Sequence, residues 1–203
     1  MATAIVVALT GPLALFNPPF VLAVQDRHGV DASFAASPAQ VEAVTLSYLG
    51  DIYLDGPFEA ALSEGDAPLL DATERSHMRD VSRLVRLLLI IDLAALLVAL
   101  ASGWLLRGEA SRIGRALLGG AAIVGGLALA IAIAFAVAFE PTFLAFHAIF
   151  FPPGTYLFPP DSQLIRLFPE PFWYDAALAA GIAVVASATV VSIAGWRLVR
   201  RDS

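Results

Sequence analysis

Apolar residues gather into four long runs along this chain, and between the runs polar residues and prolines return. With about 20 apolar residues needed to cross a bilayer core, the runs predict spans at about 4–24, 87–106, 116–138 and 176–196. The first run is interrupted by Pro12, Asn17 and the pair Pro18-Pro19 and has no basic leader, so it reads as an uncleaved, kinked span and not as a signal peptide. In the stretch "SPAQVEAVTLSYLGDIYL", Ser37 is a helix cap, Pro38 opens the helix and Gln40 completes a capping box. Val41, Val44, Tyr48, Leu49 and Ile52 then recur at helical spacing, up to a stop at Gly50 or at "DGP" (55–57), with "SEGDAP" as a loop. From Asp71 no Gly or Pro occurs before Gly103, which predicts one helix to Leu106 of about 50 Å, longer than the bilayer core is thick. Its first turns must therefore stand outside the hydrocarbon. The expected fold is all-α: a polytopic membrane protein forming a single membrane domain, 1–203, with four transmembrane helices and helical extracytoplasmic loops at 25–86 and 139–175.

Composition agrees, since 59% of residues are hydrophobic, 15% are charged and the mean hydropathy is +0.78. A net charge of -6 argues against nucleic acid as a partner, because phosphate binding needs clustered basic side chains. The absence of cysteine removes disulfides, thiolate catalysis, thiolate zinc sites and cysteine lipidation together. The spans carry no Gly-rich nucleotide loop, HExxH site or GxSxG elbow. They do carry Ala121-x-x-x-Gly125 and Ala122-x-x-x-Gly126, which allow close helix approach.

Charge also orients the chain. Arg107, Arg112 and Arg115 between the second and third spans, and Arg197, Arg200 and Arg201 in the tail, should be cytoplasmic, which places both termini inside and 25–86 and 139–175 outside. Arg75, Arg79, Arg83 and Arg86 are discordant there and are expected to pair with nearby acids or to bind a ligand. Asp92, within the second span, should face the bundle or a wet cavity, with Arg86 as a possible partner. His28 has no patterned neighbours and receives no role.

The other two histidines fall on the same outer side. Glu74, His77 and Asp80 stand at i, i+3 and i+6, so a carboxylate lies one turn to either side of the imidazole, where it could fix the tautomer and raise basicity. Glu74 equally fits a capping box begun by Asp71, and alternating charge on a helix face is often only solvated. His147 sits inside "FLAFHAIFF", and a buried imidazole is there either because a partner satisfies it or because it moves protons. Prolines 141, 152, 153, 159, 160, 169 and 171 break this region into short helical pieces, predicting a partly embedded hairpin around a pocket. One piece, "DSQLIRLF", has Asp161 as its expected cap and Arg166 on the face away from Leu164, Leu167 and Phe168. Arg166 could hold an anionic headgroup, polarise a carbonyl or simply snorkel.

Within four spans, "ERSHMRDV" (74–81) and "FHAIFFPPGTYLFPPDSQLIRLFPEPFW" (146–173) resemble the Lit family, the lipoprotein intramolecular transacylases of bacterial membranes. The resemblance rests on Glu-x-x-His-Met-x-Asp-Val together with His-x-x-Phe-Phe and the later Leu-Ile-x-x-x-Pro-Glu. It implies an enzyme of the bacterial cytoplasmic membrane, with its site on the outer face, that moves an acyl chain from the sn-2 position of a diacylglyceryl lipoprotein to the α-amine of its N-terminal cysteine. The product is lyso-form lipoprotein, and neither cofactor nor metal is implied. In that reading His77 and His147 are catalytic, Glu74 and Asp80 support them, and Arg79, Arg83, Tyr156 and Arg166 bind substrate. Pro152-Pro153 and Tyr156 stand where an Asn and a Trp are expected after the paired phenylalanines, which bears on pocket shape and acyl preference. Ester aminolysis needs a base for the amine proton, an acid for the leaving oxygen and donors for the oxyanion, and two histidines with an arginine could supply these. Two other readings use the same residues: a metal-dependent hydrolase holding Zn²⁺ on both histidines with Glu74 and Asp80, and a non-enzymatic scaffold or lipid-binding protein.

Overall fold

The computed structural model describes residues 1–201; Asp202, Ser203 and the side chain of Arg201, the last of the tail arginines expected inside, lie outside the described residues. Every regular element among the described residues is helical, with α1 at Ala2–Ala14, α2 at Pro18–Arg27, a 3₁₀ turn at Asp31–Ser33, α3 at Pro38–Leu54 and α4 at Ala72–Leu105. There follow α5 at Ala110–Val137, α6 at Phe139–Phe150, α7 at Gln163–Leu167 and α8 at Glu170–Arg201. Of these, α4, α5 and α8 are each long and apolar enough to cross a membrane. The expected first span is not one helix. It is the pair α1 and α2, which qualifies only jointly. At 13 residues α1 is about 20 Å long, short of a bilayer core of about 30 Å. The break has a local cause: Asn17, ahead of a proline, is extended at φ -117° and ψ 149°, and its side chain caps α2 by accepting from the Phe20 N–H at 3.0 Å.

The chain divides into two compact units, one of Met1–Ala14, Leu88–Val137 and the residues from Ala177, the other of Leu15–Leu87 and Ala138–Ala176. In the first, α1 packs against α5, and Val7, Ala121, Val124, Val184 and Ala188 form the core. Small residues let backbones touch: a methyl group on Gly114 would come within 2.6 Å of the Gly195 carbonyl oxygen, and one on Gly11 within 2.8 Å of the Ala183 Cβ. The two small-residue motifs noted in the sequence differ in this respect, for a Cβ on Gly125 would make ordinary contact with Ala188 at 3.5 Å whereas Gly126 faces open space. Asp92 accepts from the Thr10 hydroxyl at 2.9 and 3.1 Å, so Thr10 takes the place expected of Arg86.

The second unit is held by polar anchors set among apolar side chains. The capping box of α3 forms as expected, but Gly50 lies within the helix, which ends at Asp55 in the left-handed conformation (φ 60°). Tyr48 and Phe58 are buried together with ring centroids 5.9 Å apart, and the Tyr48 hydroxyl donates to the Ala60 carbonyl at 3.0 Å. Gln25, also buried, accepts from the Thr45 hydroxyl and donates to the Leu167 carbonyl, which joins α2, α3 and α7. Ser82 on α4 donates to the Ile52 carbonyl of α3 at 2.8 Å. The cap of α7 is Ser162 and not Asp161; its Oγ accepts from the Ile165 N–H at 3.2 Å.

Candidate active site

The second unit brings the two distant histidines together. His77 is on the second turn of α4, nearly three turns before the apolar run that starts at Leu87, and His147 is on the last turn of α6. Their rings stack with centroids 6.0 Å apart and planes 25° from parallel. Aromatic side chains wall them in. Phe151 lies 4.9 Å from the His77 ring and 5.5 Å from the His147 ring, Phe158 lies 5.5 Å from His77, and Phe143 and Tyr156 lie 4.1 and 5.4 Å from His147. Only 6% of His77 and 9% of His147 is exposed.

Hydrogen bonding separates the two rings. Nδ1 of His147 meets the Phe143 carbonyl oxygen, one turn back, at 2.8 Å. A carbonyl can only accept, so Nδ1 carries the proton and Nε2 of the neutral ring keeps its lone pair. Nδ1 of His77 is buried without a hydrogen-bond partner, so nothing equivalent fixes that tautomer. Burial pushes both imidazoles below their usual range. For His77 the proximity of His147 adds to the effect of burial and Asp80 opposes it, while the Phe143 bond opposes it for His147.

The remaining candidates fall into place unevenly. Glu74 does not hydrogen-bond His77: its oxygens accept from the Asp71 N–H at 2.8 Å and the Leu164 N–H at 2.9 Å. Its partner in the cap, Asp71, accepts from the N–H groups of Thr73 and Glu74, so the capping box is present. Asp80 pairs with Arg83 at 2.9 Å and reaches His77 only through its charge. Arg86 pairs with Asp55, and Arg75 donates to the Leu70 carbonyl, whereas Arg79 has no hydrogen bond or ion pair among the described residues. Arg79 is also two residues from His77, about 200° around the helix, and so projects from another face. Arg166 is tied to the Ser33 carbonyl and Gln163 and lies over the Phe34 ring, none of them beside the histidines. Tyr156 is beside His147. Beyond the histidines, a cleft of about 260 Å³ is lined by Asp80, Arg83, Leu84, Leu87, Phe150 and Pro152.

Sequence reasoning missed the aromatic box, although Phe143, His147 and Phe151 stand four residues apart and so share one helix face. It also missed a cluster in which Arg27 and His28 both contact Asp175 at 3.0 Å, for which the sequence gives no periodic signal. Among the described residues no three His, Cys, Asp or Glu side chains converge to hold a metal ion. The four residues that a zinc site would use are divided between ring stacking, a helix cap and an arginine.

Long apolar helices and a buried, aromatic-walled imidazole pair describe a polytopic membrane protein with a candidate active site. The sequence profile described as "Lipoprotein intramolecular transacylase Lit" matches residues 2–173, and the chain belongs to this family of membrane enzymes. The fold is that of the membrane integral lipoprotein intramolecular transacylase Lit from Bacillus cereus, with a TM-score of 0.86 at 17% identity over 99% of this chain and 92% of the other. Two variants of the Bacillus cereus protein, in which one histidine is replaced by arginine or by alanine, each superpose with a TM-score of 0.79 at 17% identity, over 99% of this chain and 88% and 90% of theirs. No curated protein matches the chain by sequence.

Proposed function

We propose that the protein transfers the sn-2 acyl chain of a diacylglyceryl lipoprotein to the α-amine of that lipoprotein's own N-terminal cysteine, at the outer face of the bacterial cytoplasmic membrane. The observation that carries this reading is the stacked pair of buried imidazoles, His77 and His147, in an aromatic box with an adjoining cleft that is polar at Asp80 and Arg83 and apolar at Leu84, Leu87 and Phe150. The amine nitrogen bonds to the ester carbonyl carbon while its proton goes to Nε2 of His147, the nitrogen left free by the Phe143 bond. The bond from carbon to the glycerol oxygen then breaks as that oxygen takes a proton from the same His77 nitrogen that receives one from His147. Atoms and protons balance, and both rings end as they began. Because amine and ester belong to one molecule, holding them together provides an effective molarity on the order of 10⁵ M or more, and no enzyme nucleophile is required.

In this reading the acyl chain lies in the cleft, Tyr156 flanks the reacting ester beside His147, and Arg83 swings from Asp80 onto the carbonyl oxygen. Glu74 and Asp80 support the site through structure and charge, and Arg79 and Arg166 stand back from it. Both termini are cytoplasmic, as the arginines of the α4–α5 loop and the tail require. The test is expression in a host that makes diacylated lipoproteins, followed by fragmentation of the N-terminal lipopeptide. An acyl group relocated to nitrogen at unchanged total mass is expected for the wild type and not for His77→Ala or His147→Ala. A wild type that leaves the lipopeptide unaltered rules the assignment out.

A further inference from the structure

We propose that Glu74 is a positioning residue that latches the segment 152–162 onto α4 and so keeps the wall of the imidazole site closed. In an ordinary capping box the carboxylate at the third helical position returns only to the N–H of its own cap. Glu74 does this with Oε2, while Oε1 accepts the N–H of Leu164, 90 residues further along. Glu74 is 2% exposed, so water scarcely reaches its oxygens as a substitute for these donors, although the residue borders a cleft of about 260 Å³ shared with Asp71, Phe158 and Gln163.

What the latch holds is set by the sequence around Leu164. The preceding segment contains Pro152, Pro153, Pro159 and Pro160, which donate no backbone N–H, and its own bonds turn inward: Thr155 to the Pro152 carbonyl, and the Ser162 N–H to the Pro159 carbonyl. Among the described residues, the Leu164 to Glu74 bond is the only hydrogen bond from 152–167 to α4. The same segment carries Phe158 against the His77 ring and Tyr156 against the His147 ring. Gln25 and Arg166 tie α7 to α2 and to the 3₁₀ turn, and one carboxylate on α4, one turn before His77, ties to α4 itself the part of the chain that covers His77. This explains why a residue so close to the imidazole makes no bond to it.

The inference rests on the proposed role of the two histidines in moving protons. Releasing the segment admits water to His77, whose titratable or charged neighbours are His147 and Asp80, and moves its ionisation back toward the ordinary imidazole range. The neutral ring is the working form. The acid limb of the rate must then shift to higher pH, which loss of stability alone would not cause.

The experiment measures transfer on a synthetic diacylglyceryl lipopeptide against pH, with full-length protein in lipid, for wild type, Glu74→Gln, Asp71→Asn, Phe158→Ala and His77→Ala. Gln has one carbonyl oxygen for two N–H donors, so Glu74→Gln is expected to lower kcat by about tenfold to a hundredfold with a smaller change in KM, and to move the acid limb upward. Phe158→Ala should move the limb the same way. Asp71→Asn keeps the cap oxygen and the Asp71 N–H and should leave it in place. Wild-type kcat and an unmoved limb in Glu74→Gln overturn the latch, and if that variant does not fold, an unmoved limb in Phe158→Ala does so. Full activity in His77→Ala removes the reading beneath the latch, whereas an inactive His77→Ala beside an unmoved limb in Glu74→Gln removes the latch alone.

Discussion

In the unit made of Met1–Ala14, Leu88–Val137 and the chain from Ala177, helices meet through Val7, Ala121, Val124, Val184 and Ala188 and through glycines that bring backbones into contact. In the unit made of Leu15–Leu87 and Ala138–Ala176, elements meet through side chains that each satisfy a named backbone group: Gln25, Tyr48, Glu74 and Ser82. The contrast follows from length. A helix of 28 residues such as α5 satisfies nearly all its own N–H and C=O groups and can associate by shape alone. Short pieces such as α7, with five residues, leave most of theirs unpaired, so buried polar side chains must complete them. The imidazoles sit in the second kind of unit, where positions are fixed by directional bonds.

If that division is functional, the largest effects belong to the histidines. His77→Ala and His147→Ala should each lower the rate of acyl transfer by about 10²- to 10⁴-fold, the range for loss of a general acid or base, while the thermal midpoint changes little. A variant whose rate loss merely tracks its unfolding would place the histidines with the structural anchors.

In the other unit the sensitive positions are packing contacts. Gly114→Val places carbon where the Gly195 carbonyl and the Val199 backbone already stand, and should destabilise by about 1–3 kcal/mol in thermal unfolding, as overpacked cores do. Gly126→Val, facing open space, is the control. Equal losses at both positions would show that the crossing is not tight.

How far the sequence reveals each unit follows from the same contrast. Periodicity and length locate α4 to within a residue and α5 and α8 to within about six, because each helix carries its own signal, and the capping boxes at Ser37 and Asp71 are equally local. The two histidine motifs, separated by 70 positions, are placed on one side of the membrane by the arginine distribution, and are joined into one site only by family resemblance. The groups around them were legible only in part: Asp80 does act on His77 by its charge and Tyr156 does lie beside His147, but the partners of the others were not. Glu74 and Arg166 have spacings that suggest an imidazole or a substrate, but their partners, Leu164 and Ser33, are brought to them by tertiary structure that no spacing encodes. The first span breaks where its sequence marks a kink, since Asn17 before two prolines ends one helix and caps the next, leaving a bent pair that qualifies as a span only jointly.

A smaller effect follows from pH. Both imidazoles are held below their ordinary value of about 6.5 by burial, so on acidification the unfolded chain takes up protons before the folded one. Stability from this source is complete above the unfolded value and declines as pH falls below it. The wild type should therefore lose thermal midpoint between pH 7.5 and 5.5, and His77→Phe, which keeps a ring without a titrating group, should lose less. Equal slopes would mean that His77 is hydrated in the folded protein.

The smallest expected effect tests a polar anchor in the first unit. Asp92 interrupts the apolar run of α4, and among the described residues its two oxygens receive a single donor, the Thr10 hydroxyl of α1. Thr10→Val keeps the shape and removes that donor, which should cost about 1 kcal/mol, the usual net worth of a hydrogen bond. Removing both partners in Thr10→Val with Asp92→Leu should recover most of the loss, because no polar group is then left without its mate. Recovery would make the pair a structural fastening inside a unit otherwise joined by shape. A double variant no better than the sum of the singles would mean that Asp92 does something Thr10 does not explain, and the division of labour between the two units would then be less clean than their packing suggests.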